Sequence, residues 1–161
     1  MKVIGFIGSS RKNGNTAKVI NSLAQTLAPD GDSKVYYLND KNIHYCTGCE
    51  FCRKNEGCSQ KDDMASLLDE IYQSDAVIIG TPVFFGEMSS LTKTFTDRLY
   101  PAYRGKGVSR LRGKKLYLVY SQHSSPETYA DVRACEASYL FKFLGFDIVK
   151  VFVNGTEVPH T

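Results

Sequence analysis

Apolar runs alternate with stretches of helical period along the whole chain. Runs rich in Val, Ile, Tyr and Phe occupy Lys2 to Ile7, Lys34 to Leu38, Ala76 to Gly80, Lys115 to Tyr120 and Phe146 to Val153. Near-continuous hydrophobicity of this kind predicts strands buried on both faces of a sheet. Between them, Ala17, Ile20, Leu23, Ala24 and Leu27 share one helical face, as do Met64, Leu67, Leu68 and Ile71. Asp62 and Asp63 stand where a helix N-terminus favours negative charge. The segments SSLTKTFTDRLYP and PETYADVRACEASYLFKFLG predict two more helices, the first stopped by Pro101 and the second capped by Gly145. On the last helix Cys135 shares an apolar face with Val132, Tyr139 and Phe143, so it is expected to be a buried small hydrophobe.

Strand and helix alternate with no repeat, low-complexity tract or long linker, which predicts a single α/β domain over residues 1–161 with right-handed parallel crossovers. In a doubly wound sheet, ligands bind beyond the strand carboxyl ends, where the strand order reverses. The loops after the first, third and fourth strands are therefore the places for a site.

Composition changes this picture little. With 161 residues, 42% hydrophobic and 23% charged, the chain has enough material for one sizeable core. A net charge of +3 argues for neither nucleic acid nor membrane. The N-terminal apolar run is too short for a signal core and no stretch approaches a membrane span, so a cytoplasmic protein is expected. In that reducing compartment clustered thiols point to metal or redox chemistry rather than to a disulfide framework. One basic run, Arg104, Lys106, Arg110, Arg112, Lys114 and Lys115, reads either as a solvated loop or as a docking surface for an acidic electron donor or a nucleotide phosphate.

GSSRKNGNTAK follows the first strand and opens a helix. Its small polar residues, its helix N-terminus and Arg11 suit an anion. Gly14 is followed by Asn15, so the Walker arrangement is absent, and Gly5, Gly8 and Gly14 do not have dinucleotide-fingerprint spacing. A monophosphate held without a metal fits; the plainer alternative is a polar loop with Asn13 or Asn15 as helix cap. GTPVFFGEMSS places Phe84 and Phe85 in a loop, where they line a planar ligand or a subunit contact, or else tuck beneath the next helix. YSQHSSPE adds His123, while His44 and His160 have no neighbouring carboxylate motif. No nucleophile is paired with a base, so no catalytic side chain is assigned and the chemistry falls to a cofactor.

GSSRKNGNT, GTPVFFGEMSSLTKTFTDR and the cysteine run between them resemble the NADPH-dependent FMN reductase family of flavodoxin-like proteins, and within it the iron-sulfur flavoproteins. The resemblance covers residues 1–153 and implies a flavodoxin-like, doubly wound, five-stranded parallel sheet of order 2-1-3-4-5 with helices on both faces. It implies that Ser9, Arg11, Asn15 and Thr16 hold the FMN phosphate, with Ser10 and Gly14 in the same set. Thr81 leads into Pro82, Val83, Phe84, Phe85 and Gly86, which would line the ribityl chain and isoalloxazine. SQHS is similar to a flavin-contacting loop of related quinone reductases, which adds Ser121, Gln122 and His123. LTKTFTDRLYP is similar to a helix that packs subunits together, so a homodimer is expected, although Leu91, Phe95 and Leu99 suit an internal core equally well.

Four of the five cysteines fall in IHYCTGCEFCRKNEGCSQ, residues 43–60, as Cys46-x2-Cys49-x2-Cys52-x5-Cys58. Three thiolates at steps of three can reach three corners of a cuboidal cluster and a fourth can close it. The resemblance implies the same 4Fe-4S cluster; zinc, and free or disulfide-forming thiols, are the alternatives. The functional expectation is an FMN oxidoreductase passing electrons from a ferredoxin-like donor or NAD(P)H to an acceptor. A reductase without a cluster, a flavodoxin-type carrier and a thiol redox sensor are the rivals.

Overall fold

The computed structural model describes residues 1–159, so His160 lies outside the described residues. Nine strands are formed: β1 (Val3–Ile7), β2 (Ser33–Tyr37), β3 (Ala76–Phe84), β4 (Glu87–Met88), β5 (Tyr103–Gly105), β6 (Val108–Ser109), β7 (Lys115–Ser121), β8 (Asp147–Val153) and β9 (Thr156–Val158). The α-helices are α1 (Asn15–Leu27), α2 (Phe51–Lys54), α3 (Met64–Gln73), α4 (Ser90–Asp97) and α5 (Ala130–Glu136), the last running on as a π-helical segment, Ala137–Lys142.

The main sheet runs β2-β1-β3-β7-β8-β9. Its first five members are parallel, in the relative order expected from the sequence. The sheet nevertheless has seven strands rather than five. β9 folds back antiparallel on β8 through Asn154 and Gly155, both at positive φ, and β4 forms a short hairpin with the end of β3. Neither short segment carries the long apolar run that announces a buried strand, which is why the sequence pattern misses them. β5 and β6 make a separate two-stranded ribbon in the basic run.

The crossover from β1 to β2 moves one way across the sheet and those from β2 to β3, β7 and β8 move the other. Right-handed connections therefore put α1 on one face and α3, α4 and the last helix on the opposite face. Two hydrophobic clusters follow from this. Ile7, Ala17, Ile20, Ala24, Ile78 and Val119 pack under α1; Phe6, Met64, Leu67, Ile71, Ile79, Phe95, Leu118 and Phe141 fill the other side. Phe95 and Leu99 are wholly buried in this second cluster, so the α4 face serves the internal core. α4 ends at Asp97, ahead of Pro101, which sits in a following 3-10 turn. Gly145 has φ +96 and closes the last helix as expected.

The last helix departs from its sequence pattern. Cys135 is exposed, Tyr139 is 81% exposed and Phe143 is half-exposed, so the expectation of a buried Cys135 is corrected. The buried stripe is instead Arg133, Ala137, Phe141 and Leu144, at ordinary helical spacing along α5 and the π-helical segment, and Cys135, Tyr139 and Phe143 lie off it. Among the described residues no helix is long and apolar enough to cross a membrane.

Candidate functional site

A cleft of about 740 Å³ opens beyond the carboxyl ends of β1, β3 and β7, at the place where the strand order reverses. Gly8, Ser9, Ser10, Arg11, Gly14, Asn15 and Thr16 line one side of it. The Gly8 amide donates to Gly80 O at 2.7 Å and so turns the chain out of β1. A Cβ on Gly8 would collide with the Thr92 hydroxyl, so only glycine allows the loop to pass this close to α4. The Ser9 hydroxyl accepts from the Arg11 amide at 3.2 Å and shapes the loop.

α1 begins at Asn15 behind Gly14, with no side chain capping it. The asparagine-cap alternative is thus not adopted, and first-turn amides face a cleft that also holds the exposed Arg11. Thr16 is nearly buried and donates to the Ser121 hydroxyl at 2.9 Å, tying this loop to the end of β7.

The opposite wall is formed by Pro82, Val83 and Phe84, the last 60% exposed. Phe85 is fully exposed at φ +53 and lies outside the cleft lining, as does Gly86, which packs against the Tyr129 ring. Neither phenylalanine tucks into the core. Thr81 is buried and also outside the lining; its hydroxyl donates to Pro82 O and accepts from the Ser89 amide at 2.9 Å, so it holds the loop in shape.

Ser121, Gln122 and His123 complete the cleft. The Gln122 side chain is spent on its own loop: it donates to Ser125 O at 2.6 Å and Thr128 O at 3.1 Å and accepts from Arg133 at 3.2 Å. His123 is exposed.

The sequence reading missed Asn39, Ser89, Ser90 and Leu91, which also line the cleft. The serine pair Ser89-Ser90 ahead of LTKTF is a legible cap signal, and Ser89 is the one that caps α4. Asn39 comes from a 3-10 turn after β2, and no motif along the chain connects that turn with the site.

The cysteine segment forms an irregular loop interrupted only by α2, which carries Cys52. Cys46, Cys49, Cys52 and Cys58 all line one hollow of about 180 Å³, together with Asp97, Arg98, Tyr100 and Pro101 from the end of α4 and the turn after it. Gly48, at φ +65, turns the chain between the first two cysteines. Cys46 and Cys49 are exposed, while Cys52 and Cys58 are half-buried. The Ser59 hydroxyl and the Phe51 amide hold the Cys49 thiol below its ordinary range, whereas burial pushes Cys52 up. Among the described residues no three Cys, His, Asp or Glu side chains converge tightly enough to hold a single metal ion. Cys135 stands on a different surface, outside this hollow.

A buried ion pair closes the loop at its base. Arg98 is 1% exposed and donates to Asp62 through Nη1 at 2.6 Å and Nη2 at 3.0 Å, and through Nη1 to His44 O at 2.6 Å. Asp62 also accepts from the amides of His44 and Met64. Burial alone would raise the Asp62 carboxyl; Arg98 and those two amides outweigh it and hold it below the usual carboxylate range. His44 therefore does have a carboxylate neighbour, with Nδ1 3.9 Å from Asp62, although eighteen positions apart in sequence hid it.

The two hollows lie at opposite ends of α4: Ser89, Ser90 and Leu91 line the larger, Asp97 and Arg98 the smaller. An eight-residue helix at about 1.5 Å per residue separates them by about 12 Å.

The profile of the NADPH-dependent FMN reductase family matches residues 1–133. An iron-sulfur flavoprotein of Archaeoglobus fulgidus is 34% identical over 131 residues, covering 81% of this chain and 59% of that protein. Another from Methanocaldococcus jannaschii is 32% identical over 129 residues, covering 80% and 67%. The chain thus spans about three fifths of the length of the Archaeoglobus protein. In fold it is similar to an NAD(P)H:quinone oxidoreductase from Methanothermobacter marburgensis, with a TM-score of 0.78 at 17% identity, covering 100% of this chain and 89% of that one.

Proposed function

Because the chain belongs to the NADPH-dependent FMN reductase family, we propose that it is an FMN-dependent oxidoreductase whose cysteine loop holds a 4Fe-4S cluster. The observation that carries the flavin is the uncapped N-terminus of α1 opening, beside Arg11, into a cleft walled by Pro82, Val83 and Phe84. Orphan amides and a guanidinium suit a monophosphate, and the apolar wall suits a planar ring. For the cluster the supporting observation is that four thiols share one hollow floored by a buried cation, whose Nε is the one buried side-chain polar atom without a hydrogen-bond partner among the described residues. A cation and a free donor suit a group carrying four thiolates.

Bound there, flavin would take up a hydride or single electrons and a cluster would pass electrons singly, from NAD(P)H or a ferredoxin-like donor to an acceptor. The chain's residues bind and orient. Ser9, Ser10, Arg11, Asn15 and the α1 amides hold the phosphate; Thr16 and Ser121 lock the phosphate loop to β7; Val83 and Phe84 exclude water from one face of the ring. No side chain need move a proton. A homodimer packed through LTKTFTDRLYP would use the residues of that segment outside the core, such as the exposed Tyr100, since Phe95 and Leu99 are wholly buried.

Protein purified without oxygen tests the reading through its absorption spectrum and its FMN, iron and acid-labile sulfide content. FMN with about four iron and four sulfide per chain, lost in Cys46→Ser, Cys49→Ser, Cys52→Ser and Cys58→Ser but kept in Cys135→Ser, is the expected result. FMN without iron, bleached by NAD(P)H, would reduce the proposal to a plain flavin reductase, and absence of flavin would overturn it.

A further inference from the structure

Among the described residues Arg98 is the largest fully buried side chain, and it carries five N–H donors. Three of its hydrogen bonds are accounted for by Asp62 and His44 O. Its Nε finds no partner. A buried, unused donor is expensive, and native interiors avoid it unless an acceptor is supplied when the site is filled. The residue sits in the wall of the hollow that all four loop cysteines line, with Cys58 beside the guanidinium.

The ion pair with Asp62 fixes the orientation of this donor. Asp62 grips both Arg98 amino groups and the amides of His44 and Met64. His44 is two residues before Cys46 and Asp62 is four after Cys58. The ends of the cysteine loop and the guanidinium are thus set against each other as one unit. A simple structural clasp needs only the two Nη groups; the Nε–H is left over.

Resting on the cluster reading proposed above, we infer that Arg98 donates its Nε–H to the anionic sulfur at the Cys58 corner of the group held by the cysteine loop, and thereby raises the reduction potential of that group. Adding an electron makes the sulfur more negative, so a fixed donor aimed at it favours the reduced state, while Asp62 offsets the charge of the guanidinium itself. The buried position magnifies the effect, since little solvent screens it. The flavin cleft, at the far end of α4, is outside its reach.

The test is a redox titration of the anaerobically purified holoprotein, following the cluster by electron paramagnetic resonance and the flavin by absorption. Arg98→Lys keeps the charge and a partner for Asp62 but removes the Nε–H. It is expected to lower the electron affinity of the cluster about tenfold, a shift of about 59 mV for one electron, with the flavin midpoint unmoved. Should Arg98→Lys fail to load iron, Asp62→Asn/Arg98→Gln, which removes both charges together, is titrated in its place and is expected to shift in the same direction. An unchanged cluster midpoint in a loaded variant overturns the inference and leaves the cluster reading intact. Loss of iron from both variants with FMN retained shows Arg98 to be a clasp alone and also overturns it. A wild-type protein with FMN and no iron overturns the cluster reading and the inference together.

Discussion

Ser89→Ala is the substitution that most directly joins the fold to the candidate flavin cleft. Ser89 is buried and its hydroxyl has two duties: it accepts from the Thr92 amide at 3.3 Å as the cap of α4, and it donates to Gly8 O at 2.7 Å. Losing a serine cap costs about 1 kcal/mol. Leaving the buried Gly8 carbonyl without its donor costs about 1–3 kcal/mol more. The sum, about 2–4 kcal/mol, would lower a urea midpoint by about 1–2 M for a slope of about 2 kcal/mol per M. The second part alone belongs to the loop after β1. If FMN binding must restore that loop, affinity falls by at most the same 1–3 kcal/mol, about 5- to 140-fold. Ser90→Ala, at the neighbouring exposed position, is the control and should stay within about 0.5 kcal/mol of wild type. Urea unfolding of the flavin-free protein and fluorescence titration with FMN measure the two effects. A Ser89→Ala protein as stable as Ser90→Ala, or one destabilised as calculated yet binding FMN with wild-type affinity, would refute the coupling of cap to loop.

Two further outcomes follow from local chemistry. Burial raises the Glu136 carboxyl, which accepts from the Tyr120 hydroxyl at 2.7 Å. The folded state then holds this proton more tightly than the unfolded chain, so its contribution is complete below the ordinary carboxylate range and is lost as pH rises through the elevated value. Glu136→Gln should flatten the decline of stability as pH rises above the ordinary carboxylate range, measured by urea unfolding across a pH series; an unaltered slope would contradict the assignment. Phe85 holds left-handed backbone with its ring in solvent. Phe85→Gly relieves about 1–2 kcal/mol of strain against about 0.5–1 kcal/mol of added chain entropy, so thermal unfolding should show a net gain near 0.5–1 kcal/mol. FMN affinity should hold within about twofold, and a large loss would place Phe85 back in the flavin wall.

The parallel core of the sheet, the phosphate loop and the cysteine spacing were legible because each is local. Apolar runs at β1, β3 and β7 mark buried strands directly, and GSSRKNGNT carries its own turn and helix start. On the last helix the side facing the sheet carries Arg133, Ala137, Phe141 and Leu144, a stripe opened by a buried arginine that an apolar pattern does not mark, and Cys135, Tyr139 and Phe143 lie on the other side. The resemblance grouped Thr81, Phe85 and Gly86 with the flavin, whereas in this structure Thr81 is buried and Phe85 and Gly86, both at positive φ, lie outside the lining of the cleft.

The sequence by itself therefore determined the fold class, the relative order of the parallel strands, the small polar loop after β1 and the four clustered thiols. Each of these is a property of a continuous stretch of chain, governed by hydrophobic period, turn chemistry or spacing. Only the tertiary structure decided that Arg98 is buried beneath those thiols, that Asp62 and His44 meet it, and that Ser89 reaches Gly8 across 81 residues. An arginine is normally a surface residue, and nothing in its neighbours along the chain supplies the partners that make burial affordable. Those partners come from distant segments, and they meet only after the sheet has fixed both ends of α4 in space.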